Sequence, residues 1–153
     1  MKSINYDIRK AYVEALSDIT VNTNPSTPGT RYPVPVYYLS APQSETSKFY
    51  IIINGPSSTD ISTINSSDTN TQVQLQIQTW GDGSNSGWLA DNIAENIFSV
   101  IYTTPQKILD LTGMGLQMVS TKLITDNTSD ITGLGNAVYI TRTLIFEHNI
   151  FHN

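Results

Sequence analysis

Over Gln72–Gln78 (QVQLQIQ) glutamine and aliphatic residues alternate strictly, and shortly afterwards the apolar spacing lengthens to that of a helix. The period of two places Val73, Leu75 and Ile77 on one face of a strand and Gln72, Gln74, Gln76 and Gln78 on the other. Beyond Gly81–Gly87, Leu89, Ile93, Ile97 and Ile101 recur at helical spacing, with Trp88, Ala94 and Phe98 widening the stripe. A chain containing both patterns back to back must lay the helical stripe on the apolar side of the strand. The predicted unit is strand, glycine-rich turn and amphipathic helix over Gln72–Phe98, and the reading it supports is structural rather than catalytic.

The remaining chain supplies what packs around this joint. At 153 residues there is enough chain for one domain, residues 1–153, with a core that needs no staples. Ile8, Ala11, Tyr12, Ala15, Leu16 and Ile19 predict a first helix over Ile4–Ile19, stopped by the proline-rich Val21–Pro33. Val34–Ser40 reads as a short extended segment that Pro35 confines to an edge or to the beginning of a strand. Lys48–Asn54 (KFYIIIN) reads as a central strand ended by Gly55-Pro56, and Ser57–Asn70 as a polar excursion. Thr71–Trp80 is the next strand, and the second helix runs to about Thr103. Gln106–Thr112 could hold one more helical turn, closed by Gly113 and Gly115. Leu116–Thr125 and Ala137–His148 read as strands of a long hairpin, with turn chemistry over Asp126–Asn136. The expected fold is therefore α+β: a mostly antiparallel sheet of about five strands with two helices packed on one face, in the order α-β-β-β-α-β-β.

Composition narrows the function classes. Only 14% of residues are charged, against about 25% in an average soluble protein. Ser, Thr, Asn and Gln form the polar surface instead, which suits extensive subunit contact because interface cores are depleted in charge. A net charge of −5 argues against gripping a nucleic-acid backbone. No apolar run is long enough for a membrane span, and the N-terminal residues do not form a secretory signal. The absence of cysteine excludes disulfides, thiolate metal sites and thiol nucleophiles; synthesis in the cytoplasm is the expectation.

The candidate constellations are weak as chemistry. Gly81-Asp82-Gly83 lacks the spacing of a phosphate cradle and the carboxylates of a calcium loop, so it reads as a left-handed turn, with Ser84, Asn85 or Ser86 as helix cap. Asp91 and Glu95 share a helix face without a basic partner in the same stretch. His148 and His152 would share a face only in a helix, which the strand pattern opposes, so neither a metal nor another cofactor is expected. No nucleophile elbow or triad can be picked out, and the chain is read as a non-enzyme. The aromatics Tyr32, Tyr37, Tyr38, Phe49, Tyr50, Trp80 and Trp88 are not interleaved with Lys or Arg, which favours core and interface over a base-stacking platform. Arg142 falls on the apolar face of the last strand; it must reach an edge or pair with a carboxylate such as Glu95 or one from a neighbouring subunit.

The order of elements carries a resemblance. An N-terminal helix, then VPVYYLSAPQSETSKFYIIINGP, then QVQLQIQTWGDG, then WLADNIAENIFSVI resembles the tail-completion or tail-terminator proteins of tailed bacteriophages. Val36-Tyr37, Ala41-Pro42-Gln43, Phe49–Ile53, Val73–Trp80 and Leu89–Ile97 stand where that family has its extended segment, central strand, strand and helix. Lys48-Phe49 replaces the family's proline before the central strand, and the Ser57–Asn70 insertion is long. The resemblance implies a structural virion protein that forms a ring, usually a hexamer with a twelve-fold ring as the alternative. The ring would join tail to head beside connector, adaptor or stopper proteins and the tail tube protein, with genomic DNA passing through its lumen and no membrane involved. Candidate interface or lumen residues are Tyr37, Tyr38, Gln74, Gln76, Asp126, Asp130 and Arg142. The Asn22–Pro33 and Ser57–Asn70 loops are candidate subunit contacts, and the Val34–Ser40 segment and the Phe146–Asn153 tail are candidate edges. Other readings are a further neck ring or stopper of a short-tailed phage and, in a different class, a small-ligand or glycan-binding module.

Overall fold

A computed structural model describes residues 4–22, 31–44, 48–64, 67–102, 111, 113–132 and 137–152. The elements are α1 (Asn5–Leu16), β1 (Thr20–Asn22), β2 (Arg31–Pro33), β3 (Val36–Tyr38), β4 (Phe49–Asp60), β5 (Asp68–Asp82), α2 (Gly83–Ile101), β6 (Leu116–Thr132) and β7 (Ala137–His152). Five strands form one sheet in the order β3-β4-β5-β7-β6, and β1 and β2 form a separate two-stranded ribbon. The α+β class holds. The sheet is mixed rather than purely antiparallel, because β3 runs parallel to β4 while the other pairings are antiparallel.

The glutamine strand lies at the centre of this sheet. Val73, Leu75 and Ile77 are fully buried, and in the cross-strand register they stand level with Ile53 and Ile51 of β4 and with Phe146 and Leu144 of β7. Ile93, Ile97 and Ile101 of α2 and Ile8, Tyr12 and Leu16 of α1 complete one continuous core. The helices are arranged differently from a plain pair. The ribbon shares their layer: Val21 is buried, and Asn96 of α2 donates to the Thr20 carbonyl at 3.1 Å. Phe98 of α2 packs edge-on against Phe146 of β7, and Tyr12 of α1 meets His148 of the same strand.

Four strands, β4 to β7, are longer than their sequence pattern indicates, β5 running Asp68–Asp82 instead of Thr71–Trp80. β4 continues past Gly55-Pro56 (a cis peptide) to Asp60, and Ser57–Asp60 pair with Thr69–Gln72, so most of the supposed excursion is a hairpin. The register shifts between Asn54 and Ser57, where Gly55 takes a φ of +96° and a Cβ would lie 3.2 Å from the Ser57 nitrogen. Alternation persists here with hydroxyls in place of aliphatics. Thr69 and Thr71 are buried on the core face, and their hydroxyls meet His152 at 2.8 Å and Ser58 at 3.0 Å. β6 continues through Asp126–Thr132 because each residue pairs with β7, overriding a turn-like composition. β7 reaches His152 and lies between β5 and β6, so the C-terminal segment is interior to the sheet and is not an edge.

At the joint, β5 runs to Asp82 and α2 begins at Gly83, which replaces the expected turn with a direct strand-to-helix junction. Ser86 is thus inside the helix; its carbonyl accepts the Thr79 hydroxyl at 2.8 Å, tying the first turn of α2 to the strand that precedes it. The side chains of Asp82, Ser84 and Asn85, the core of the Asn22–Pro33 loop and the 106–110 segment lie outside the described residues.

Candidate assembly surfaces

The alternation that buries one face of β5 delivers its glutamines to the other. Cross-strand registers extend that outer face in level rows: Tyr50–Gln78–Thr141–Ser129, Ile52–Gln76–Thr143–Asn127 and Asn54–Gln74–Ile145–Thr125. These rows contain no charged side chain. Thr141 donates to the Gln78 amide oxygen at 3.0 Å, and Asn70 donates to Asn149 at 3.0 Å, so amides and hydroxyls knit along the face. At one end the row Trp80–Tyr139–Ile131 is apolar, with Ile131 70% exposed and the Trp80 and Tyr139 rings 6.1 Å apart. Lys48 Nζ sits 5.3 Å from the Trp80 ring centroid. At the other end Lys122 and Glu147 stand opposite each other across β6 and β7. Among the described residues, no helix covers this face.

The candidate residues fall into three places. Gln74 and Gln76 lie half-buried in the central rows. Tyr37 and Tyr38 lie on the outer strand β3; Tyr37 meets the Tyr50 ring edge-on at 6.0 Å, and the Arg9 guanidinium sits 3.9 Å from the Tyr38 centroid. Asp126 and Asp130 belong to β6, the strand at the opposite side, and not to a hairpin tip.

Arg142 does pair, but with Asp126 and Asp91 rather than Glu95. Its Nε and one terminal nitrogen donate to the two Asp126 oxygens at 2.9 and 2.8 Å, and the other terminal nitrogen reaches Asp91 at 2.9 Å. The guanidinium is 14% exposed and lies 6.0 Å from the Phe98 ring, so the strand's apolar face ends in a satisfied cation. The bond to Asp126 chiefly raises the arginine's already high pKa. The expected Glu95 partner fails on direction: Asp91, one turn earlier on α2, is the carboxylate that meets the guanidinium.

Both histidines bond within the fold, His152 Nε2 lying 2.8 Å from the Thr69 hydroxyl. His148 is fully buried on the core face, with Tyr12 Oη 2.5 Å from Nε2 and Thr121 Oγ1 3.0 Å from Nδ1. Burial lowers its pKa to about 4 and raises that of Tyr12, so both are neutral near pH 7. Among the described residues no three His, Cys, Asp or Glu side chains are grouped as metal ligands, and no helix is long and apolar enough to cross a membrane. Sequence reasoning missed the outer edge of β6, which has no strand beside it among the described residues, and the Trp80–Tyr139–Ile131 row. The signal for the row was spread over three strands whose register no local pattern contains.

No family model matches the chain, and no curated protein matches it. Among solved structures, a chain of the "Virion of native gene transfer agent (GTA) particle" aligns with 12% identity over 75% of this chain and 78% of that one, at a TM-score of 0.49.

Proposed function

We propose that this chain is a non-enzymatic structural virion protein of the tailed-phage type that forms a ring at the neck, joins tail to head and leaves a path for DNA. The reading draws on the element order and motifs that resemble tail-completion proteins. In the structure it rests on one observation: the sheet is packed on one face and presents a broad, uncharged amide and hydroxyl surface on the other. Such a surface can meet another protein with little desolvation of ions. Gln74 and Gln76 are then contact residues on the open face, and Tyr37 and Tyr38 contact residues at an edge. Asp130 and the net charge of −5 suit a ring that repels DNA phosphates and lets them slide. Arg142 has a positioning role, since it holds Asp126. Partners on this reading are further copies of the chain as a hexamer or twelve-fold ring, connector or stopper proteins, and the tail tube protein.

Deleting the reading frame from its genome tests this directly. The expected result, by electron microscopy, is filled heads and finished tails that remain separate, with joining restored when the purified chain is added. Complete infectious particles in its absence would overturn the reading.

A further inference from the structure

The two outer strands of the sheet, β3 and β6, differ in how they treat a neighbour. Between Leu116 and Thr125 the register of β6 with β7 breaks twice, and the residues at the breaks, Val119 and Ile124, are both exposed. Bulges of this kind, together with Lys122, twist an edge away and blunt it. From Thr125 to Thr132 the register runs unbroken against Ile145 to Val138. This half presents an unbroken row of outer N–H and C=O groups, which among the described residues have no strand beside them. It is also the half braced by Arg142 through Asp126. Proteins that stay single protect such an edge; here the bulges and the lysine stop at Thr125, and the charges beyond are Asp126, which Arg142 holds, and Asp130.

The register also places the two edges level with each other. One row runs Val36–Ile51–Ile77–Arg142–Thr128, the next Tyr37–Ile52–Gln76–Thr143–Asn127, and the third Tyr38–Ile53–Leu75–Leu144–Asp126. β3 therefore stands opposite the unbroken half of β6, at the far side of the sheet. One parallel and three antiparallel pairings between them make β6 run opposite to β3. A copy moved sideways by rotation, without rise, presents its β6 to its neighbour's β3 in antiparallel orientation. The side chains suit this contact. Arg9 lies against Tyr38, and Asp126 occupies the same row on the same, helix-covered face. Pairing β6 with its own copy about Thr128 would instead set Asp126 against Asp130.

We propose that copies of this chain join head to tail through their sheet edges, with Asp126–Thr128 of β6 in one copy adding antiparallel to Val36–Tyr38 of β3 in the next, so that Arg9 of the second copy faces Asp126 of the first. The contact is heterologous and closes when the rotation does, so it gives the ring its means of assembly and rests on the ring reading above.

The chain has no cysteine, so introduced thiols report this contact alone. Within one copy Tyr37 and Asn127 are separated by four strand spacings, about 19 Å, beyond the reach of a disulfide. The Tyr37→Cys/Asn127→Cys double variant, oxidised and followed by non-reducing electrophoresis and native mass spectrometry, is expected to give a ladder of linked copies that reducing agent collapses. The Val36→Cys/Thr128→Cys pair in the next row should behave alike, and covers the case in which loss of the Tyr37–Tyr50 contact impairs folding. Tyr37→Cys/Val119→Cys, aimed at the blunted half, should not link. A ring that assembles without linking in the first two variants, or that links equally in the third, overturns the edge pairing and leaves the ring reading standing. A chain that stays monomeric and unlinked overturns both.

Discussion

His148 sits where α1, β6 and β7 meet, its ring between the Tyr12 hydroxyl and the Thr121 hydroxyl and stacked beside Phe146. A neutral imidazole, one nitrogen donating and the other accepting, satisfies both contacts. Protonation brings a charge into the core, so burial is what lowers the pKa to about 4 from 6.5. Between these values the unfolded chain binds the proton and the folded chain does not. Stability is therefore undiminished above pH 6.5, falls as pH drops through this window by up to about 3 kcal/mol, and levels near pH 4. Urea melts across this range should show the loss, and His148→Asn should abolish that dependence. Arg142 gives a second expectation. Asp91 is 70% exposed, so Asp91→Ala should cost less than about 1 kcal/mol. Asp126 takes two parallel bonds and is less exposed, so Asp126→Ala should cost more in the same melts. That Arg142 needed a carboxylate was legible from its place on an apolar strand face. Its partners were not, because Asp126 sits in a composition that reads as a turn and only the pairing with β7 makes it strand.

At the scale of elements, α2 on β5 is the joint around which the sheet is built. Ile93 and Ile97 are fully buried in one core with Val73, Leu75 and Ile77. Ile97→Ala should lower the unfolding free energy by about 2–5 kcal/mol, and a loss below about 1 kcal/mol would mean the helix faces elsewhere. Both helices and this strand were legible because their apolar periods are unmixed. What escaped local reading was extent and neighbours. The far ends of β4 and β6 are built from Ser, Thr, Asn and Asp, whose intrinsic preference is for turns, and they become strands only where β5 and β7 supply partners. The parallel placement of β3 beside β4 escaped for the same reason. The edges at the centre of the assembly proposal were legible on one side only: Pro35 left β3 either an edge or a strand beginning, and nothing local marked β6.

Among the described residues the molecule is a sheet covered by helices on one face. Helices and a short ribbon close one face over an aliphatic core, and among the described residues the other face and the outer edge of β6 have no element against them. The low charge content and the patterned amide face both suit the subunit role proposed above, because such a surface meets protein with little desolvation of ions. Native mass spectrometry of the purified chain over a concentration series, alone and with tail tube protein, tests this most directly. The expected result is a closed species of one stoichiometry, six or twelve copies by the resemblance to tail-completion rings, formed without a continuous ladder of larger sizes. A chain that remains monomeric throughout, with and without the tube protein, would contradict it.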